Sequence, residues 1–518
     1  MFVTCMARLA LKKLITNNLV KKTMKHNFFL LALYTFNLYS GYCSVEIHSK
    51  PNILMIIVDD LRPELGCYGT KDILTPNIDK IASKGILFQE AYANVAVCGP
   101  SRSCIMSGLR PIQGKRFDAW NCRIDKDATG FPTIPEFFKK QGYCTISNGK
   151  VMHIQEDSPE AWLEKAWRSN KNHGADIHWY NIYDDWADTA SDALAQPMPV
   201  GSQHQNLKKG PFWEAADVPD NGYHDGQLCD KTVKDIQRMA ETKQTFFIAC
   251  GFWRPHLPFN APKKYWDLYD REKIQLANNR YFPEHGPKNL KNSTEISQYV
   301  GQEGWPTEEN FHRLAKHGYY ASVSYIDAQI GKLLKTLEST GLEKNTIVVV
   351  WGDHGYHLGE HNFWGKHNLT RGALRTPLLI KVPGYSAVKI SQLVESVDVY
   401  PTLCELASIT LPSHLVGKSL VPLFSNPEAN HIEEIFAVTS WDKGLAVKTK
   451  QFLYAEWGIK GIGGRMLFDH KIDLEENINV AENPEYAETV KNLHNKLVRY
   501  RKNLNFPNDK SLHDQETE

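Results

Sequence analysis

The chain has 518 residues, 42% hydrophobic and 23% charged, which is ordinary globular composition and enough length to bury a large core, a big domain with a smaller one beside it. A formal charge of +1 excludes a global electrostatic pull toward nucleic acid or an anionic membrane, so a charged ligand must be recognised locally. Ten cysteines are too sparse for a disulfide scaffold and include no C-x-x-C pair of zinc or redox spacing.

Residues 1–45 read as a leader. Met24 is the expected start, Lys25 supplies a positive n-region, and the apolar run from Phe28 to Tyr39 is too short to span a bilayer. Ser40 to Cys43 form the processing zone. Tyr42 is not the small residue wanted ahead of a lipidated cysteine, so anchoring at Cys43 is the lesser reading. The leader implies export, to a periplasm or beyond, with no transmembrane helix in the mature chain.

From Pro51 to about Pro383 short apolar runs alternate with amphipathic stretches, the pattern of an α/β sheet with helices on both faces. Four runs predict buried parallel strands: Asn52 to Val58, Tyr143 to Ser147, Thr245 to Ala249 and Thr346 to Trp351. Each is followed by reactive polar residues: Asp59 and Asp60, Lys150 and His153, Arg254 and His256, Asp353 and His354. Ligands of open parallel sheets bind outside the carboxyl ends of the strands, so four such clusters can converge on one crevice.

Two constellations carry chemistry. Adjacent carboxylates at the end of an apolar strand are costly to desolvate without a cation, and an oxygen-rich site suits Ca²⁺ or Mg²⁺. Asp59-Asp60 alone would read as a solvated turn; the second acidic strand end at Asp353 reverses that. His354 is an unusual ligand for a hard cation, and spacing alone also allows a transition metal. The second constellation is Cys98-Gly-Pro-Ser-Arg102. Pro100 suits a first helical turn, which puts Cys98 just outside a helix N-terminus, where backbone N–H groups favour an anion and Arg102 can reach back.

The stretch from about Pro159 to Gly226, rich in Trp, Asp, Asn and Gly, reads as long loops over the sheet, where substrate specificity is expected. Beyond Pro383 come a helix near Val397 to Ala407, β-like runs Ile435 to Ser440, Gly444 to Lys448 and Gln451 to Ala455, and a helix from about Pro484 to Leu504. This predicts a catalytic domain over 48–425 and a C-terminal subdomain, a small antiparallel sheet with a helix, over 430–518.

Cys98-x-Pro-Ser-Arg102 with Ser107-Gly108 resembles the signature of the formylglycine-dependent sulfatases, members of the alkaline phosphatase superfamily. So do the Pro51 to Asp60 strand, Leu61 to Gly69, Thr75 to Asp79, Asn148 to His153, Gly251 to Pro258 and Asp353 to His361. Within the family the likeness is to iduronate-2-sulfatase and bacterial polysaccharide sulfatases. One departure is Ile105-Met-Ser-Gly-Leu-Arg110, where the family often has Leu-Thr-Gly-Arg.

The resemblance implies an alkaline phosphatase-like fold with a mixed, mostly parallel sheet. It implies that a maturation enzyme oxidises Cys98 to Cα-formylglycine, and that Asp59, Asp60, Asp353 and His354 bind Ca²⁺ together with residue 98. One hydroxyl of the hydrated aldehyde would attack sulfur and the other would later expel sulfate from a covalent sulfo-enzyme. It assigns sulfate contacts to Lys150 and Lys366, leaving-group protonation to His256 and turnover of the intermediate to His153. Arg254, Tyr356, His357, His361 and Trp364 are sugar-contact candidates.

The expected substrate is a sulfated, uronate-containing polysaccharide or its oligosaccharides: a glycosaminoglycan 2-O-sulfate, or an algal polymer such as ulvan or carrageenan. Two alternatives lie in the same superfamily, a phosphonate monoester hydrolase or phosphodiesterase and a choline sulfatase. A third, of another class, is a non-catalytic carbohydrate-binding protein.

Overall fold

A computed structural model describes residues 50–112, 114, 116–169, 211–299, 301–439 and 444–503. The leader with Met24 and Cys43, residues 170–210 of the expected loop region, and Ser440 and Leu504 at the ends of two expected elements lie outside the described residues.

Seven apolar runs form one sheet: Asn52–Val58 (β1), Ile86–Tyr92 (β2), Cys144–Gly149 (β3), Phe246–Phe252 (β4), Thr346–Gly352 (β5), Leu378–Lys381 (β6) and Val388–Glu395 (β7). Their order is β7-β2-β6-β5-β1-β4-β3. β1 is parallel to both β4 and β5, β3 is parallel to β4, and β7 to β2; β6 is antiparallel to its two neighbours. The sheet is therefore mixed and mostly parallel, and the four runs that the sequence marks as parallel strands lie side by side, from β5 to the edge strand β3.

β1 is buried along its whole length, and its side chains alternate between two cores. Leu54, Ile56 and Val58 join one apolar cluster, Ile53, Met55 and Ile57 the other. Helices Pro76–Ala82 (α1), Cys98–Ser107 (α2), Ile134–Lys140 (α3), His224–Thr242 (α4), Glu309–Ser339 (α5) and Val399–Leu406 (α6) divide between these cores. α1, α4 and α5 contribute Ile78, Leu228 and Ile330 to the first; α2, α3 and α6 contribute Ile105, Phe138 and Leu403 to the second. Each fully buried Leu or Ile contributes about 1.5–3 kcal/mol, so the central strands are the rigid part from which loops at their carboxyl ends are hung.

The chain then forms a second, antiparallel sheet from Glu434–Val438 (β8), Gly444–Thr449 (β9), Phe452–Trp457 (β10) and Arg465–Asp469 (β11), with helix Ala487–Asn503 (α7) packed on it. Three of these strands and the helix match the sequence expectation. The fourth, β11, is not expected from the sequence; it is closely bracketed by Gly464 and the turn that begins at Asp469. Val438 N–H donates to the Asn94 carbonyl at 2.9 Å, and Val95 and Val97 bury against Val438, Leu445 and Leu467. The small sheet thus buttresses the segment that leads into Cys98.

Candidate active site

The carboxyl ends of β1 and β5 are tied to each other. The Asp353 N–H donates to the Val58 carbonyl at 3.3 Å, and the Asp60 N–H donates to Asp353 Oδ1 at 3.1 Å. Asp60 adopts a left-handed backbone, φ 58°, uncommon for a non-glycine residue, and its carbonyl accepts from the Tyr319 hydroxyl at 2.8 Å. Asp59, Asp60, Asp353 and His354 are all fully buried.

Cys98 enters from α2, as its first residue rather than just outside it, with Val97 extended at the cap. Its Sγ lies 3.2 Å from Asp59 Oδ1 and 3.3 Å from His354 Nε2. Gly99 is required by close packing: a Cβ there would stand 2.0 Å from the Trp120 carbonyl oxygen. Arg102, one turn on, does not reach back over Cys98 alone. Its Nε donates to Asp353 Oδ2 at 3.0 Å, its Nη2 lies 3.6 Å from Asp59 Oδ2, and its Nη1 donates to the carbonyls of Lys150 and Val151. It is the strut that fixes both acidic tips and the Lys150 backbone.

One atom each from Asp59, Cys98, Asp353 and His354 lies within 4.8 Å of the others, and Asp59, Asp60, Cys98 and His256 form an overlapping set. Three wholly buried carboxylates with a single imidazole are a donor set that fits a hard divalent cation, since burial of that much negative charge needs a compensating one.

Cationic groups ring this cluster. Lys150, after β3, pairs with Asp59. Lys366 Nζ donates to both Asp60 oxygens, at 2.8 and 2.9 Å, and pairs with Glu295 Oε2 at 3.0 Å. His256, after β4, faces the Leu257 carbonyl through Nδ1 at 2.6 Å and Glu295 Oε1 through Nε2 at 3.1 Å. Both of those neighbours only accept hydrogen bonds, so in this geometry His256 carries protons on both nitrogens. His153 is buried edge-on to Trp120, 5.9 Å between ring centroids.

Electrostatics separates the two histidines. Burial and then Lys150 hold His153 well below the usual imidazole range, which keeps it neutral. For His256, burial and Lys366 oppose protonation, but Asp60 and Glu295 prevail and raise it. Burial pushes the Cys98 thiol well above its usual range, and Asp59 adds to the shift, so the unmodified side chain is a protonated thiol. Burial opposes the charge on Glu295, yet Lys366 and His256 keep it ionised well below the usual carboxylate range.

Glu295 has no warning in the sequence. It lies in a turn-rich stretch without periodicity, and only the tertiary structure brings it between His256 and Lys366.

The sugar-contact candidates separate. Tyr356 is fully buried, stacked on Tyr319, and its hydroxyl has no hydrogen-bond partner among the described residues, in a region charged by Asp60, Glu295 and Lys366. Arg254 is buried and donates to the His256 carbonyl at 2.8 Å, so it supports that loop. Three others are turned to structural work. His357 Nε2 is 2.8 Å from Thr370 Oγ1, His361 sets its ring nitrogens at the carbonyls of Tyr281 and Glu475, and Trp364 donates to His312 Nδ1 at 3.1 Å inside the core. The rings of His361 and Trp364, buried with their polar atoms paired, have nothing left to offer a sugar, whereas Nδ1 of buried His357 has no hydrogen-bond partner among the described residues. Arg110, at the departure from the family signature, pairs with buried Glu395 on β7.

The sequence profile of the family described as Sulfatase matches residues 51–409, and a second, described as N-sulphoglucosamine sulphohydrolase, C-terminal, matches residues 359–503. The chain is 34% identical over 405 residues to iduronate 2-sulfatase of Mus musculus, covering 70% of this chain and 69% of that one. It is 30% identical over 458 residues to a sulfatase of Formosa agariphila, covering 86% and 85%. Among solved structures, the phosphonate monoester hydrolase of Silicibacter pomeroyi superposes with a TM-score of 0.69 at 21% identity, covering 88% of this chain and 95% of that one, a likeness of fold.

Proposed function

Because the chain belongs to the sulfatase family and is a sulfuric ester hydrolase, we propose that it removes sulfate from a uronate-containing polysaccharide or its oligosaccharides, through an oxidised Cys98 held against a divalent cation. Carbohydrate sulfates are the coarser substrate class that its relatives support. Within it, an iduronate 2-sulfate of a glycosaminoglycan and an algal sulfate such as that of ulvan are the two substrates we favour.

The observation that carries this reading is the meeting of Asp59, Cys98, Asp353 and His354 within 4.8 Å at two neighbouring strand ends. In our reading these residues and Asp60 hold Ca²⁺, with Mg²⁺ as the alternative; when bound, the ion offsets the acidic charge and polarises the oxygen on residue 98. The aldehyde made at Cys98 by an external maturation enzyme supplies, once hydrated, one hydroxyl to attack sulfur and a second whose deprotonation releases sulfate. An unmodified thiol has no second oxygen, and here it is also held protonated.

The remaining work falls to side chains. Lys150 and Lys366 face the sulfuryl oxygens and stabilise charge in the transition state. His256 turns its Nε2 proton from Glu295 to the departing sugar oxygen and delivers it there. His153, kept neutral, accepts a proton as sulfate is released. Arg102 keeps Asp59 and Asp353 in register with residue 98. Export in the manner of bacterial polysaccharide-degrading enzymes completes the proposal; among the described residues no helix is long and apolar enough to cross a membrane.

Mass spectrometry of the Cys98 peptide from the native host tests it. We expect the aldehyde in place of the thiol; a quantitative free thiol would overturn the enzymatic mechanism and favour a carbohydrate-binding protein on the same scaffold. Parallel assays of sulfate esters, phosphodiesters and choline sulfate on the matured protein should show carbohydrate sulfate hydrolysis dominant, and a preference for the phosphodiester would refute the substrate class.

A further inference from the structure

We propose that Glu295 is a specificity-determining residue: its fixed negative charge, inserted between His256 and Lys366, tunes the site to a monoanionic ester and against a dianion. The inference rests on the sulfatase reading of the same site.

Glu295 is not a surface carboxylate that has found two cations by chance. Its side chain is only 14% exposed, and its two oxygens are divided between His256 Nε2 at 3.1 Å and Lys366 Nζ at 3.0 Å. Its own segment is strapped to the segment that carries Lys366. The Asn292 side chain accepts from the Trp364 N–H at 2.8 Å and donates to the Asn362 carbonyl at 2.9 Å; the Asn368 side chain donates to the Lys291 carbonyl at 3.3 Å. Ser293 Oγ lies 3.0 Å from His367 Nδ1 and accepts from the Glu295 N–H at 3.2 Å. The carboxylate is therefore held relative to Lys366 by a set of bonds independent of its charge.

A group so placed acts on whatever anion the two cations receive. A sulfate ester carries one negative charge, whereas a phosphate monoester near neutral pH carries two, and so does inorganic sulfate, the product. Glu295 cancels part of the positive field of Lys366 and His256, which a monoanion tolerates better than a dianion in a site screened from water. The same charge that discourages phosphate monoesters also hastens the departure of the sulfate dianion after each turnover. Tight binding of product would otherwise follow from a site lined with Lys150, Lys366 and His256.

The experiment compares matured wild type with E295Q on three aryl esters of one leaving group: an aryl sulfate, an aryl phosphate monoester and a monoanionic aryl phosphonate monoester. We expect the phosphate-to-sulfate ratio of kcat/KM to rise by about 10-fold or more in E295Q, the phosphonate-to-sulfate ratio to stay within about 2-fold, and the inhibition constant of inorganic sulfate to fall by about 10-fold. E295D, which keeps the charge, should retain the wild-type ratios, and E295A replaces the amide variant should that fail to fold. An unchanged phosphate-to-sulfate ratio with unchanged sulfate inhibition overturns the proposal, as does an equal gain for the phosphonate, which would mark a loss of shape rather than of charge. If wild type cleaves the phosphonate and no sulfate ester, the sulfatase reading has failed, while the phosphate-to-phosphonate ratio still decides the role of Glu295.

Discussion

Asp60 and Asp353 are joined directly: the backbone N–H of one donates to the side-chain oxygen of the other at 3.1 Å, with both residues fully buried. Asp353 thus serves two purposes, a structural acceptor for Asp60 and Arg102 and an anionic donor for the proposed cation. These separate by mutation. D353N keeps an oxygen for the Asp60 N–H but turns an amide N–H toward Arg102 Nε, so it should lose about 1–2 kcal/mol of stability along with roughly 10²- to 10³-fold in kcat/KM. D353A leaves buried donors of Asp60 and Arg102 unpaired and should also lose about 3 kcal/mol in a denaturant titration. Equal stability of the two variants would refute the division.

Removal of the proposed cation has a stability signature apart from activity. Dialysis against a calcium chelator should lower Tm, and calcium added to about 100 times its Kd should restore about 2.7 kcal/mol by mass action. A Tm indifferent to both chelator and added Ca²⁺ or Mg²⁺ would show that Asp59, Asp60 and Asp353 are balanced by Lys150, Lys366 and Arg102 alone.

In the proposed mechanism the pH profile follows from the two histidines. His256 acts in its protonated form and is raised above its ordinary value, about 6.5, so activity is full below the raised value and falls as pH rises through it. His153 acts neutral and is lowered, so it sets no limb above its depressed value. The expected profile is a plateau through mildly acidic pH with a single alkaline fall. H256A should remove the fall together with about 10²- to 10⁴-fold of the rate on a sugar sulfate, and less on an aryl sulfate, whose leaving group needs less protonation. A fall that survives in H256A assigns it elsewhere.

Gly99 offers a test of position alone. The Cβ of G99A would meet the Trp120 carbonyl at 2.0 Å, so α2 must shift beside residue 98. A displacement of about 1 Å should cost roughly 10²-fold in rate, with circular dichroism unchanged. Wild-type turnover by G99A would show that residue 98 tolerates more play than the packing suggests.

Asp327 on α5 caps α1: its Oδ1 accepts from the Asn77 N–H at 3.1 Å and the Ile78 N–H at 2.8 Å. D327A should lose about 2 kcal/mol of stability and leave kcat unaltered in the folded fraction, measured by thermal melting beside initial rates. A fall in kcat at full folding would mean that α1 reaches the active site.

The sequence by itself determined four of the seven strands of the main sheet and the acids at their ends. Continuous apolar runs such as Asn52 to Val58 can be satisfied only between two covered faces, and the polar residues that follow each run must emerge at one edge. Pro100 and the Cys98 motif likewise fixed a helix start, because those preferences act within a single turn of chain. What only the tertiary structure decided was which distant side chains meet. Strand order put Arg102 across Asp59 and Asp353, and loop packing delivered Glu295 to His256 and Lys366. The same packing sent His357, His361 and Trp364 to structural partners, although they follow the Asp353 motif closely. Local periodicity reports which face of an element is buried; it carries no information about the neighbour that a buried polar atom finds there, since that depends on contacts between residues far apart in the chain.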